Sequence, residues 1–204
     1  MAAFPTIQYH MDEPQSNPSS VPLYFLAKLA REQVTVVLSG EGADEIYAGY
    51  EWYNDTPLMR RYKHIPAPFR RAAAGITRHL PYFKGHDFIL HGTGRPEDYF
   101  IGQAYVFPET EALSILREPY RHGPSVRDIV TPIYKEAAGL SEVEKKQYLD
   151  LHLWLQGDIL LKADKMSMAH SLELRVPYLD KCVMEEAATI PVSYKLDGHD
   201  TKAV

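Results

Sequence analysis

The stretch Val34-Thr-Val-Val-Leu-Ser-Gly-Glu-Gly42 decides the fold. Its first five residues are β-branched and almost uninterruptedly apolar, which is typical of a strand buried on both faces of a parallel sheet. Two glycines end the strand, and the pattern from Ala43 to Tyr53 is that of a helix. The segment therefore predicts a strand–turn–helix unit and, with it, an α/β protein.

Most of the remaining chain has the spacing of helices, so the fold is expected to be predominantly helical. The other predicted helices span residues 21–32, 57–64, 68–79, 96–105, 109–117, 141–155, 157–171 and 181–189. Ser141 with Glu144 forms a capping-box pattern. Residues 1–18 are predicted to be irregular, and residues 81–94 and 118–124 are predicted loops. One parallel strand needs neighbours, so further strands are expected outside this chain.

The composition limits the classes of function. The chain has 204 residues, 45% of them hydrophobic and 24% charged, which is ordinary for a globular domain. A net charge of −5 argues against nucleic-acid binding. The single cysteine, Cys182, excludes an internal disulfide and a thiolate metal cluster. No apolar run approaches the roughly 20 residues that span a bilayer, and no signal peptide opens the chain, so no membrane contact and a cytoplasmic location are expected.

A first candidate site follows the predicted strand. Ligands of α/β proteins bind beyond the carboxyl ends of parallel strands, and backbone N–H groups near Gly40 and Gly42 can approach an anion there. The turn also carries the carboxylates of Glu41, Asp44 and Glu45. Acids beside a phosphate require a hard cation between them, which indicates Mg²⁺. The alternative is that the glycines only shape the turn and that the acids favour the helix N-terminus.

A second candidate site lies on the helix predicted over residues 157–171. Asp158, Lys162 and Lys165 follow i, i+4, i+7 spacing and so share one face. Two lysines on one face can bind pyrophosphate as point charges. The alternative is a solvated face of paired charges. Beyond this helix, Glu173 and Arg175 are interpreted as a buried pair that organises the following turn.

Together the two segments carry a resemblance to a known family. Residues 38–50, LSGEGADEIYAGY, resemble the second signature of glutamine-hydrolysing asparagine synthetases. Residues 160–180, LLKADKMSMAHSLELRVPYLD, resemble their third signature, in the same order. The stretches YHMDEP at residues 9–14 and PSSVPLY at residues 18–24 are also similar to the family. The similarity thus extends over most of the chain.

This resemblance implies both a fold and a reaction. The fold is a partial ATP-pyrophosphatase domain, of the adenine-nucleotide alpha-hydrolase-like type, without its N-terminal strands. The side-chain carboxylate of aspartate attacks the α-phosphate of ATP, giving β-aspartyl-AMP and pyrophosphate. Ammonia from glutamine then displaces AMP to yield asparagine. ATP, aspartate and Mg²⁺ are therefore the expected ligands, and a homodimer is implied for the intact family member.

The resemblance also implies roles for individual residues. Asp44 matches a carboxylate that holds Mg²⁺, and Glu41 matches one near the acyl-adenylate, where a base could take a proton from the incoming ammonium. The turn that lines the pyrophosphate site is matched by Ser39, Gly40 and Gly42. The family's catalytic lysine falls in the segment 162–165. Lys165 is favoured, and Lys162 stays open.

Two parts of the family pattern do not occur in these 204 residues. One is the serine-glycine-glycine loop ending in Asp-Ser that cradles pyrophosphate, and the other is the glutaminase with its N-terminal cysteine. An upstream portion that carries both is the expected partner, and the isolated chain is expected to be inactive. Two alternatives stay open: a β-lactam synthetase-like adenylating cyclase, whose base is a tyrosine–glutamate pair, and a non-catalytic interaction remnant.

Overall fold

The computed structural model describes residues 2–13, 17–81, 83–103, 105, 107 and 109–196. The chain forms two compact units, each built from segments that are distant in sequence. Unit 1 comprises Met1–Tyr47 and Leu151–Pro191, and unit 2 comprises Ala48–Asp150 and Val192–Val204. None of the described helices is both long and apolar enough to cross a membrane.

The elements confirm a predominantly helical α/β protein. In chain order the α-helices are α1 (Phe4–Met11), α2 (Ser20–Arg31), α3 (Ala43–Ile46), α4 (Pro57–Lys63), α5 (Ala67–Thr77), α6 (His86–His91), α7 (Glu109–Ile115), α8 (Val126–Glu136), α9 (Glu142–His152), α10 (Leu161–Met168), α11 (Lys181–Thr189) and α12 (Val192–Lys195). The strands are β1 (Val36–Leu38) and β2 (Glu173–Arg175). A π-helical segment, Leu155–Leu160, precedes α10.

The sheet of unit 1 has two parallel strands. Val37 of β1 lies opposite Leu174 of β2, and the N–H of Ser39 donates to the carbonyl of Arg175 at 2.8 Å. The predicted strand is thus confirmed, but its parallel neighbour β2 was not predicted and lies within this chain rather than outside it. The expected burial on both faces is wrong for this chain, because Val36 is 41% exposed and Leu38 is 73% exposed. Among the described residues β1 has no second neighbour to cover it.

Helix α10 lies at the centre of unit 1, where it packs against α1, α2 and β2. Its Met166 forms a core with Ile7 and Met11 of α1, and Leu23 and Tyr24 of α2 pack against that core. Because β2 follows α10 after a short turn, this packing fixes both strands relative to α2. The end of β1 is thereby held close to the helices that carry the second candidate site.

Three expectations for unit 1 are wrong in detail. Residues 1–18 are not all irregular, since α1 forms with Pro5 in its first turn, where the missing N–H of proline costs no hydrogen bond. The helix expected from Ala43 to Tyr53 ends at Ile46, and Ala48 then adopts a φ of 57°, which breaks a right-handed helix. Glu173 and Arg175 pair at 2.9 Å, but both side chains are more than half exposed, so this is not a buried pair.

In unit 2 the helices expected at 57–64, 68–79, 109–117 and 141–155 are confirmed as α4, α5, α7 and α9. The capping box also forms, since the N–H of Ser141 donates to Glu144 Oε2 at 2.8 Å. The expected loop at 81–94 contains α6, and the expected helix at 96–105 is reduced to one 3-10 turn, Pro96–Asp98. Helix α8, which has Pro132 in its interior, was not predicted. A capping box between Ser125 and Asp128 starts this helix.

Candidate functional site

The turn after β1 is shaped by Gly42. This residue has a φ of 90°, and a Cβ at its position would overlap the side chain of Leu179. Only glycine therefore fits both the backbone conformation and the packing there. Gly40 differs, because nothing lies within 4 Å of a Cβ built on it. The interpretation that a glycine merely shapes the turn thus fits Gly42, whereas Gly40 is exposed and its Cβ position is open.

The three carboxylates of the turn lie in different surroundings. Glu45 is only 1% exposed and lies in the interior of the unit. Asp44 is half-buried in the first turn of α3, a helix of four residues. Glu41 is half-buried and lines an open pocket. Of the three acids, Glu41 is therefore the one that the structure places at a cavity wall.

This pocket, of about 600 Å³, lies between the turn, α2 and α10. Its wall is mostly apolar and comes from one face of α2, namely Pro22, Leu23, Phe25, Leu26 and Leu29. Its polar groups are Glu41, Lys162 and Ser19. The two segments singled out in the sequence therefore converge here, with a carboxylate and an ammonium group on one cavity. An apolar pocket with a few convergent polar groups is typical of a small-molecule site.

Lys162 and Lys165 have different partners. Lys162 is only 5% exposed, lines the pocket, and donates from Nζ to Ser19 Oγ at 2.9 Å. Lys165 is more exposed and forms an ion pair with Asp12. That hydrogen bond and the negative charge of Asp12 raise the pKa of Lys165 above its ordinary value. The structure thus places Lys162 at the pocket, while Lys165 is held by the segment that joins α1 to α2.

The third member of the predicted face, Asp158, accepts a hydrogen bond from Asn17 Nδ2. Asp158, Lys162 and Lys165 therefore all contact the chain around residues 12–19, as expected if they share one face. The alternative of a solvated face of paired charges fits Lys165, whose partner Asp12 is exposed, but it does not hold for the buried Lys162. Asn17 and Ser19 were not identified from the sequence. The signal available there was only a serine before α2, whose side chain does not cap that helix.

Ser39 is tied to the sheet rather than to the pocket. Its backbone N–H is already used in the hydrogen bond to Arg175, so that donor is not available to an anion. The turn residue that lines the pocket is Glu41. An anion at this site would depend more on Lys162 than on the backbone of Ser39.

Unit 2 contains a separate group of charged side chains around Glu142. Lys63 Nζ lies 2.6 Å from Asp55 Oδ2 and 2.7 Å from Glu142 Oε2, and Tyr99 donates to Glu142 Oε1 at 2.8 Å. Ligand atoms of Asp55, His91 and Glu142 lie within 4.8 Å of one another, as they would around a metal ion. Lys63 already pairs with both carboxylates, however, and Lys146 Nζ lies 3.9 Å from Glu142 Oε1, so an added cation would be repelled by two lysines. This group is therefore an ion-pair network.

The ion-pair network lowers the pKa of Glu142, the acid at its centre. Burial alone would raise the pKa of Glu142. The nearby His91 ring, the hydrogen bond from Lys63 and the positive charges of Lys63 and Lys146 outweigh burial and hold that pKa far below its ordinary value. The pKa of Asp55 is lowered in the same way. A carboxyl whose pKa is depressed on folding stabilises the protein above its unfolded pKa, and this stability is lost as the pH falls.

We expect the free energy of unfolding to fall between about pH 5 and pH 3, partly through Glu142. Glu142→Gln should lower the free energy of unfolding by about 3 kcal/mol at pH 7, since it leaves Lys63 half-paired. The same substitution should also make the free energy of unfolding depend less steeply on pH in the acid range. Denaturant melts at pH 7, 5 and 3 measure both effects, with Glu118→Gln as the exposed control. An unchanged melt of Glu142→Gln would show that the network carries no stability.

Comparison with known proteins identifies the family of the chain. The family model described as asparagine synthase matches residues 1–204. The chain is 40% identical to asparagine synthetase (glutamine-hydrolysing) 1 of Bacillus subtilis (strain 168) over 99% of its own length and 32% of that protein. It is also 40% identical to a putative asparagine synthetase of Mycobacterium tuberculosis (strain ATCC 25618 / H37Rv) over 99% of its length and 31% of that protein.

A more distant relative is a putative asparagine synthetase of Methanocaldococcus jannaschii, 30% identical over 67% of this chain and 23% of that protein. No solved structure matches the chain. The chain spans about a third of the length of the relatives that it matches at 40% identity. Since the family model covers it from end to end, the chain belongs to the asparagine synthase family.

Proposed function

We propose that the chain is a portion of an ATP-dependent ligase that makes asparagine from aspartate through β-aspartyl-AMP. The observation that carries this proposal is the convergence of Glu41 and Lys162 on one pocket. The reaction needs a cation where pyrophosphate departs and a base where ammonia attacks. The named activity of the relatives, glutamine-hydrolysing asparagine synthesis, supports the same reaction.

Each site residue has a role in this proposal. Lys162 neutralises the pyrophosphate, and Lys165 remains the second candidate for that role. Glu41 takes a proton from the incoming ammonium, and Gly40, with Ser39 and Gly42, forms the turn beside the intermediate. The turn offers only carboxylate oxygens as charged ligands, a donor set that suits Mg²⁺. Asp44 would hold this ion, which when bound offsets the negative charge of the phosphates.

The proposal includes an upstream portion that supplies the phosphate loop and the glutaminase, in a cytoplasmic and homodimeric enzyme. It takes the adenine-nucleotide alpha-hydrolase-like fold for the completed domain. The exposed β1 supports this, because a strand of this composition is normally covered by neighbours. The chain alone is then inactive, since its own turns do not replace the loop's backbone donors.

A chimera tests the proposal directly. In it, this chain replaces the matching third of the Bacillus subtilis relative, and aspartate-dependent exchange of labelled pyrophosphate into ATP is measured together with asparagine formation. We expect both activities in the chimera and neither in the isolated chain. A folded chimera that hydrolyses glutamine but makes no asparagine would refute the ligase function. Exchange by the isolated chain, abolished by Glu41→Ala, would refute its inactivity.

Lys162→Ala in this chimera should lower the exchange rate about 100-fold, because one preorganised charge on a developing anion contributes that much. Lys162→Arg should keep part of the activity, since it retains the charge. The matched control is Lys28→Ala, an exposed lysine of α2. If Lys165→Ala removes the exchange and Lys162→Ala leaves it within twofold, the role belongs to Lys165.

A further inference from the structure

A continuous series of hydrogen bonds leads from Asp158 to Lys162. Asn17 Nδ2 donates to Asp158 Oδ2 at 2.5 Å, and Asn17 Oδ1 accepts from Ser19 Oγ at 2.6 Å. Ser19 Oγ in turn accepts from Lys162 Nζ at 2.9 Å. Asp158 and Lys162 are four residues apart on one helical face, so Asn17 and Ser19 bridge them from outside the helix.

The chemistry of the groups fixes the direction of these bonds. A carboxylate can only accept, so the Asn17 atom that faces Asp158 is the amide nitrogen, and the amide oxygen faces Ser19. That oxygen also accepts from the backbone N–H of Ser19 at 3.0 Å, which holds the serine in place. The hydroxyl of Ser19 has a single proton, which it gives to Asn17. It can therefore only accept from Lys162, whose ammonium can only donate.

The burial of Lys162 makes its hydrogen bond to Ser19 important. Lys162 is almost fully buried, and Ser19 Oγ is the one hydrogen-bond acceptor of Nζ in the described part of the chain. A buried ammonium without an acceptor is costly, so Ser19 supports the charged lysine at the pocket wall. An ammonium has three N–H donors, and the other two stay available to an anion in the pocket. Glu41 lines the same pocket.

We propose that Ser19 is a positioning residue, which with Asn17 and Asp158 holds the Lys162 ammonium at the pocket for pyrophosphate. This inference rests on the proposed function for the identity of the anion, but not for the hydrogen bonds themselves. The inference assigns a role in the site to the segment before α2. This segment is not part of either signature segment.

The series of hydrogen bonds from Asp158 through Asn17 and Ser19 to Lys162 is called the relay below. Competitive acylation of lysines in the 204-residue chain tests the relay without any turnover. A limiting amount of labelled acetic anhydride modifies each lysine at its own rate, which peptide mass spectrometry measures, and Lys181, whose side chain is 85% exposed, is the internal reference. Acylation requires Lys162 to leave its hydrogen bond and lose a proton. We therefore expect Ser19→Ala to raise the labelling of Lys162 at least about fivefold relative to Lys181.

Two further variants separate positioning from general loosening. Ser19→Thr keeps the hydroxyl and should restore slow labelling. Ser20→Ala is the matched control, because Ser20 is buried next to Ser19 and donates to the backbone carbonyl of Asn17 at 2.9 Å, outside the relay. If Ser20→Ala raises the labelling of Lys162 as much as Ser19→Ala, or Ser19→Ala leaves it unchanged, the relay is refuted. Should Ser19→Ala not fold, Asn17→Ala breaks the same relay and must give the same increase.

Inorganic pyrophosphate with Mg²⁺ identifies the anion in the same assay. We expect millimolar pyrophosphate to slow the labelling of Lys162 in the unsubstituted chain and to protect it at least about threefold less in Ser19→Ala. If pyrophosphate gives no protection while Ser19→Ala still exposes Lys162, the relay stands and the pyrophosphate assignment fails. If protection is equal in both chains, Ser19 does not position the lysine for the anion, and the inference is overturned.

Discussion

Glu41→Gln in the chimera is expected to lower asparagine formation at least about 100-fold, which is the usual contribution of a positioned general base. The same variant should leave aspartate-dependent pyrophosphate exchange within about threefold, because exchange reports formation of the adenylate and precedes the attack by ammonia. Glutamine has nearly the size of glutamate but cannot accept the proton. The two assays, run on one preparation with ammonium as nitrogen source, measure both values.

The matched control is Glu32→Gln at the end of α2, an exposed acid outside the pocket lining. It should change neither rate. A loss of both activities in Glu41→Gln would move Glu41 from the ammonia step to adenylation, where a carboxylate would act through Mg²⁺. Retention of both activities would remove Glu41 from the chemistry, although it lines the pocket.

The strand–turn–helix unit could be predicted because its signals are local. A β-branched apolar run gives β1, and two glycines end it, one of which must adopt a positive φ. The long helices α2 and α11 follow from apolar spacing in the same way. The lysine face was also predictable, since i, i+4 and i+7 positions of a helix share a side regardless of what covers it.

What could not be predicted depends on distant contacts or on local exceptions. Which lysine faces the pocket is decided by Asp12 and Ser19, which lie more than a hundred positions away in the sequence. The positive φ of Ala48 ends a helix pattern at a residue that ordinarily favours helices. Helix α8 tolerates Pro132 in its interior, against the usual interpretation of proline as a breaker.

The exposure of β1 leads to the second large expected effect, which is self-association of the isolated chain. Val36 and Leu38 are exposed on this strand, and Leu26 and Leu29 are each 62% exposed on α2 of the same unit. Among described residues β1 pairs with β2 alone, so its other edge offers backbone groups to a further strand. Open apolar strand edges pair with other chains, and apolar patches of this kind are unusual on monomers.

The isolated chain is therefore expected to self-associate through β1 and α2. Leu38→Lys should weaken this association by about 2 kcal/mol, or about 30-fold, the loss typical of a central interface residue. A charge on the edge repels a second copy and leaves unit 1 otherwise intact, because Leu38 is mostly in solvent.

Multi-angle light scattering over a concentration series measures the change in association. The matched control is Leu58→Lys, a similarly exposed leucine on α4 in unit 2, which should not alter the mass. A monodisperse monomer with a cooperative melt would show instead that two short strands are protected by their own twist and neighbouring helices.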